Sequence, residues 1–201
     1  MFKNIIDFKI LNLYSKDYSS SYSIREITKI LNINYSHTFK RINELVKEGI
    51  LTKEKKGQAN NITFNIKNLE AVKLLSFVEE NKKIENPTLK LVIKEAINID
   101  PFSCIGLFGS RVSGGAKKDS DWDVFIITAK KKNMEKIGAK FPYAKNIHFE
   151  VFSIDEFEDN LVAREDTVVK HIVRNKQILF NPYPFYNIIN NWEMVKYAPT
   201  Q

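Results

Sequence analysis

LFGSRVSGGAKKDSDWDVFIIT, Leu107 to Thr128, holds a Gly-Ser pair, ten intervening residues and an Asp-x-Asp at the mouth of an apolar run. One aspartate there is accounted for as a cap on a turn. Two carboxylates one residue apart, directly before VFII, need a further cause. Upstream, FSCIGLF is a short apolar run bounded by Gly109, the pattern of a buried strand. The polar, small and basic segment SRVSGGAKKDS then leads into DWDVFIIT as a second strand. So short a connection keeps the end of the first strand near the start of the second. Gly109-Ser110 and Asp121-x-Asp123 are therefore expected at one edge of one sheet.

Side-chain alternation turns Asp121 and Asp123 to the same face of a strand, about 6 to 7 Å apart, with Trp122 and Val124 on the other. Two carboxylates so close repel, and in a partly buried site a cation is what makes the pair tolerable; all-oxygen ligation suits Mg²⁺ carrying substrate phosphates. Ser110, Arg111 and the backbone amides after Gly109 form a donor-rich turn into a helix, which favours an anion. Metal on one side and phosphate donors on the other describe a nucleoside triphosphate site. NIHFEVFS adds a third acid: Glu150 lies mid-strand between Phe149 and Val151, a place where a charge wants a partner, and shares a face with His148. Asp121, Asp123 and Glu150 are thus the expected catalytic carboxylates and metal ligands, set around one or two Mg²⁺ ions that align an acceptor hydroxyl with an α-phosphate.

Gly109-Ser110, ten residues, Asp121-x-Asp123 and a later acid between apolar residues together resemble the DNA polymerase β-like nucleotidyltransferase superfamily. The likeness is greatest to the minimal nucleotidyltransferases, which include antitoxin nucleotidyltransferases paired with HEPN toxins, and spans roughly residues 87 to 180. The resemblance implies an α/β fold with a small mixed sheet, Asp121 and Asp123 as metal ligands, Glu150 as the third carboxylate, and Gly109 and Ser110 on the triphosphate. Such proteins transfer a nucleotidyl group, commonly adenylyl, to a protein, RNA or small-molecule hydroxyl. A Mg²⁺-dependent transferase using ATP or another nucleoside triphosphate is the expectation. Its alternative is a DNA-binding regulator or antitoxin whose nucleotidyltransferase fold senses nucleotide or docks a partner. The sequence departs from the family pattern in having Glu150 where Asp is common, Ser113 where many minimal members carry a second Arg, and bulky Trp122 between the aspartates.

Outward from this region the chain changes character. Residues 1 to 68 carry 12 Lys/Arg against 6 Asp/Glu, whereas residues 69 to 201 carry 19 against 18, so nearly all of the net charge of +7 lies in the first third. A local positive excess favours a polyanionic partner. In that third, Ile6, Ile10, Leu13 and Tyr14 recur with the period of a helix. Ser23 opens SIREITKILN with Glu26 three residues on, a capping box. After the turn NIN, a third helix has Phe39, Ile42, Leu45 and Val46 as its apolar stripe and Gly49 as its stop. ILTKEKKG and NNITFNI around Gly57-Gln58-Ala59 then read as a hairpin. This order, over residues 1 to 68, resembles the winged helix-turn-helix domain of prokaryotic transcription regulators. Tyr35, Ser36, His37, Thr38, Lys40 and Arg41 are expected on the solvent side of the third helix, facing base edges of double-stranded DNA, with Lys53, Lys55 and Lys56 on the wing near phosphates.

Between the two regions, residues 69 to 86 read as a helical linker with Leu69, Val72, Leu75, Phe77 and Val78 apolar, a helix also suited to pairing with a second copy in a homodimer. Asn86-Pro87 starts the next helix and sets the boundary of the domain over 87 to 201. Ser153 with Asp155 and Glu156 begins an acidic helix, whose dipole accounts for those acids. KQILFNP reads as a last strand and YPFYNIINNWEMV as a C-terminal helix with aromatic core positions. Arg164 and His171 superficially match a HEPN ribonuclease pair, an accident of spacing. The fold class is therefore two domains, an α+β winged helix-turn-helix followed by an α/β nucleotidyltransferase fold. Cys104 is the single cysteine, so no internal disulfide forms and a reducing compartment is expected. MFKNIIDFKILNLYSK is too interrupted by charge for a signal peptide, and no apolar run reaches about eighteen residues. A soluble, cytoplasmic protein is the expectation.

Overall fold

The computed structural model describes residues 4–56, 59–117 and 119–196. Its contacts divide the chain into two compact units, one reaching to Val78 and resuming at Ile189, the other running from Glu79 to Ile188. The division thus falls ahead of the boundary expected near residue 86, and it returns the end of the chain to the first unit.

In the first unit, α1 (Ile5–Asn12), β1 (Ser21–Ser23), α2 (Ile24–Leu31), α3 (Tyr35–Lys47), β2 (Leu51–Lys56) and β3 (Ala59–Phe64) follow one another. The three strands form one antiparallel sheet in the order β1-β3-β2. The capping box is present as expected: Ser23 Oγ accepts from the Glu26 amide while Glu26 accepts from the Ser23 amide. Ser23 also ends β1, a strand too short to leave an alternating signal. Asn32, in the left-handed region at φ 50°, closes α2, and Asn34 caps α3. Ala59, expected in the hairpin turn, instead opens β3, paired with Lys56; Gly57 and Gln58 lie outside the described residues.

Two apolar assignments are corrected. On α3 the inward stripe is Thr38, Ile42 and Leu45, so Thr38 is buried rather than offered to DNA, its hydroxyl donating to the Asn34 carbonyl at 3.1 Å, and Phe39 is exposed rather than core. The helix that follows, α4 (Leu69–Glu80), buries Ala71, Val72, Leu75 and Val78 but exposes Leu69 and Phe77. The core of this unit is built on Ile10, Leu11, Tyr14, Ile27, Ile42, Leu45 and Ile62, with the Tyr14 hydroxyl donating to the Ile62 carbonyl at 3.0 Å.

The second unit contains α5 (Pro87–Ile99), β4 (Cys104–Phe108), α6 (Ser110–Ser113), β5 (Trp122–Ile127), α7 (Lys131–Met134) running into a 3₁₀ turn, β6 (Ile147–Phe152), α8 (Ile154–Val162), α9 (Val168–Arg174), β7 (Gln177–Phe180) and the start of α10 (Pro182–Lys196). Asn86 caps α5 with Pro87 in its first turn, and Ser153 caps α8 through a second capping box. The sheet order is β6-β5-β4-β7. β4 pairs antiparallel with both β5 and β7, whereas β5 and β6 run parallel, so the sheet is mixed as expected. The parallel pair is possible because α7 and the 3₁₀ turn supply the crossover that such strands require.

Each face of the sheet has its own filling. On one, Ile105, Leu107, Val124, Ile126 and Ile147 pack against Leu89, Val92 and Ala96 of α5 and against Met134 and Ile137. On the other, Phe125, Phe157, Phe185 and Tyr186 form a chain of ring contacts with centroids 5.3 to 6.0 Å apart. Gly106 admits Phe125 against β4, since a Cβ there would overlap the ring. Beneath these aromatics, the Lys176 ammonium is fully buried with the rings of Phe185 and Tyr186 at 4.8 and 5.1 Å, and the Tyr186 hydroxyl donates to Glu79 at 2.9 Å. No described helix is long and apolar enough to cross a membrane.

Candidate active site and nucleic-acid interface

Asp123 is the second residue of β5, paired with Phe108 of β4 on one side and His148 of β6 on the other. Asp121 stands immediately before the strand, and its carboxylate lies 3.4 Å from Nε2 of His148. Both aspartates therefore stand at the start of β5 next to His148, Asp121 through its carboxylate and Asp123 through the strand register. Glu150 pairs with Phe125, two residues along β6 from His148, and so lies on the same face as Asp123 and His148 but further in from the edge. It is exposed. Among the described residues, no three His, Cys, Asp or Glu side chains are gathered into a group able to hold a metal ion by themselves. The structure places the Asp121 carboxylate beside His148, sets Asp123 opposite His148 in the strand register, and puts Glu150 one register step further along the same face.

Gly109 connects β4 to α6 with φ 74°, a conformation that disfavours any side chain. Its Cα faces Asp123 so closely that a Cβ would overlap the Asp123 carboxylate. Ser110 opens α6, and the intrahelical bonds begin only with the Val112 amide donating to the Gly109 carbonyl. The amides of Ser110 and Arg111 precede that first bond, as in the opening turn of any helix. Two further amides, those of Gly114 and Gly115, both converge on the Ser110 carbonyl at 3.1 Å and bend the chain back.

Arg111 corrects the expectation drawn for it. Its guanidinium does not face outward as a phosphate donor: Nε donates to the carbonyls of Ser120 at 2.9 Å and Asp121 at 3.1 Å, Nη2 also donates to Ser120, and the group lies over the Trp122 ring at 4.1 Å. Arginine and tryptophan together pin the intervening loop to the start of β5. The unusual bulk at position 122 thereby acquires a partner. The basic run Lys130 to Lys132 is likewise partly engaged, with Lys130 donating to the Ile99 carbonyl and Lys131 ion-paired with Glu156 at 2.6 Å. Lys117 is exposed, its amide donating to Ser120 Oγ, while Lys118 lies outside the described residues. Sequence reasoning passed over His148 as a partner of Asp121, because only the parallel pairing of β5 with β6 puts it there.

On α3, Ser36, His37 and Lys40 are exposed as expected, and so are Tyr35 and Phe39, whose rings stack at 6.0 Å. Arg41 is not available to DNA, a second correction. Its Nε and Nη2 hold both oxygens of the buried Asp7 at 2.8 and 2.7 Å, and its Nη1 binds Glu44. The signal was in α1: a lone aspartate among apolar residues needs a cation. Lys53 and Lys55 are exposed on β2, with Lys53 Nζ 5.9 Å from the Phe39 ring; Lys56 pairs with Ala59 through its backbone, and its side chain lies outside the described residues.

The model of the family described as polymerase beta, nucleotidyltransferase matches residues 73–183, more than half of the chain. The chain belongs to the polymerase beta nucleotidyltransferase family. A second model, described as winged helix-turn-helix DNA-binding, matches residues 3–52. A nucleotidyltransferase-fold domain thus follows a winged helix-turn-helix domain in one chain. Among solved structures, one described as the crystal structure of the toxin-antitoxin with AMP-PNP aligns with 16% identity over 54% of this chain and 86% of its own, at a TM-score of 0.35. No curated protein matches.

Proposed function

We propose that the nucleotidyltransferase domain transfers a nucleotidyl group, AMP from ATP, to a hydroxyl of a protein or RNA, and that the winged domain brings this activity to double-stranded DNA. The observation that supports the reading is the packing of Gly109 on the Asp123 carboxylate, which holds the Gly109-Ser110 turn beside the Asp-x-Asp at the start of β5. Asp121 and Asp123 offer hard carboxylate oxygens to water, the donor chemistry that suits Mg²⁺, an ion usually bound by one or two carboxylates plus substrate phosphates. When bound there, Mg²⁺ supplies positive charge to the triphosphate and to departing pyrophosphate. Gly109 and Ser110 place backbone and hydroxyl donors beside the triphosphate. Arg111 acts indirectly, by holding the loop on which Asp121 sits. Glu150, on the same face, takes the proton of the acceptor hydroxyl as its oxygen bonds to the α-phosphorus and the bond to pyrophosphate breaks. Incubation with each of the four α-labelled nucleotides, Mg²⁺ and candidate protein and RNA acceptors tests this. Labelling by the wild type that is lost in Asp121→Ala/Asp123→Ala is expected; the absence of labelling from both across a broad acceptor set removes the enzyme reading.

A second reading is favoured by one observation: the Arg111 guanidinium is engaged by the Ser120 and Asp121 carbonyls and by the Trp122 ring. On this reading the fold senses nucleotide or docks a partner and the chain is a DNA-binding regulator or antitoxin. Salt-sensitive DNA binding that shifts with nucleotide but yields no covalent product distinguishes it.

A further inference from the structure

The aromatic pair on α3 lies off the packed stripe of its helix. Thr38, Ile42 and Leu45 point inward, while Tyr35 and Phe39, four residues apart and so neighbours on one helical face, are 47% and 42% exposed. Two large rings held against each other at the surface of a small domain mark a contact surface. Charge selects the partner. Of the six acids in residues 1 to 68, Asp7 and Glu44 are held by Arg41, Asp17 by Ser19 and Glu26 by the cap of α2, and the other two are Glu48 past the end of α3 and Glu54 on β2; Lys40 is exposed on α3, and Lys53 and Lys55 are exposed on the wing, Lys53 beside the Phe39 ring. Exposed lysines beside the pair favour a phosphate backbone, and the apolar feature that a duplex shows on its major-groove base edges is the thymine C5 methyl.

We propose that Tyr35 and Phe39 read thymine methyl groups, so that the DNA site of this domain requires thymines under the aromatic pair. The inference rests on the DNA-binding reading above and adds to it the base class that is recognised. Lys40 and Lys53 hold phosphates near the pair, and Lys53, 5.9 Å from the Phe39 ring, also restrains that ring in the orientation seen.

The test uses the full chain. Duplexes that bind tightly are enriched from a random pool, and each thymine of the selected site is then replaced by deoxyuridine, which lacks only the methyl. Fluorescence anisotropy is expected to show about four-fold weaker binding at each thymine touched by a ring, the equivalent of one buried methylene-sized group. Phe39→Ala should lose most of that discrimination while keeping the salt dependence set by the lysines, and Phe39→Leu should retain part of it. Circular dichroism verifies that both variants fold, as expected for a side chain exposed in the free protein. Binding that is indifferent to deoxyuridine at every position, or Phe39→Ala with full discrimination, overturns the inference and leaves DNA binding standing. Tighter binding of single strands than of duplex overturns it as well, because the rings would then be stacking on unpaired bases. A chain with no salt-sensitive duplex binding defeats both this inference and the reading beneath it.

Discussion

Two glycines in one loop show how much of the site depends on a single missing carbon. Gly109 has φ 74° and a Cβ there would overlap the Asp123 carboxylate; Gly114 has φ 90° but its Cβ would meet nothing within 4 Å. Gly114 is in the left-handed helical region, whereas Gly109, at ψ −156°, lies in a region that is essentially glycine-only and adds a collision. Gly114→Ala should therefore cost about 1 kcal/mol and leave nucleotide labelling intact. Gly109→Ala should cost a further 1 kcal/mol or so, up to about 3, and abolish labelling by displacing Asp123. Denaturant midpoints and labelling of the two variants, measured side by side, check this; equal loss of labelling in both would mean that the loop acts through its mobility rather than through Asp123. The Gly-Ser turn and the paired aspartates were legible in the sequence because spacing and apolar flanks encode them. The destination of Arg111 was not. A guanidinium chooses between a ligand and nearby carbonyls according to how the loop folds back on Trp122, and linear spacing carries no record of that.

For elements, period is legible and phase is not. The third helix was evident from its caps and repeat, but its apolar residues permit two stripes, one through Phe39, Ile42 and Val46 and another through Thr38, Ile42 and Leu45. Packing selects the second. Part of that selection comes from α1, where the buried Asp7 clamps Arg41 and so fixes the rotation of α3 about its axis. Breaking one partner of a buried ion pair leaves the other uncompensated, so Asp7→Ala should lower stability by about 3 kcal/mol. Replacing both partners by apolar groups removes the unpaired charge, and Asp7→Ala combined with Arg41→Met should recover most of the loss. Urea unfolding of the single and double variants gives the comparison; a double variant no better than the single one would show that Arg41 matters for its contact with Glu44 instead. β1 escaped notice for a different reason, since three residues leave no alternation and its partner β3 lies some forty positions away.

Across the whole molecule, both compact units bury groups that must stay protonated. Burial raises the Tyr14 phenol in the first unit, with the nearby Tyr22 adding to the shift. In the second, burial raises the Cys104 thiol and the Tyr186 phenol, and the charge of Glu79 pushes both in the same direction. The two-domain plan was legible from the charge asymmetry and the two motif patterns, but this shared vulnerability was not, because it depends on depth rather than on residue type. For a group whose pKa is raised by folding, the folded chain keeps its proton while the unfolded chain releases it. Its stability contribution is full below the unfolded pKa and is lost as pH rises towards the folded one. The window opens near 9.0 for Cys104 and near 10.0 for the tyrosines, their ordinary values. Above these points each group should remove up to about 1.4 kcal/mol per pH unit. Denaturant midpoints should stay level through about pH 8 and fall beyond about pH 9, with Cys104→Ala delaying the first part of the fall. Tyrosinate absorbance from Tyr14 and Tyr186, resolved by Tyr→Phe variants at each position, should appear together with unfolding. A phenolate signal titrating near pH 10 in a chain that remains folded would contradict the burial assigned to that ring.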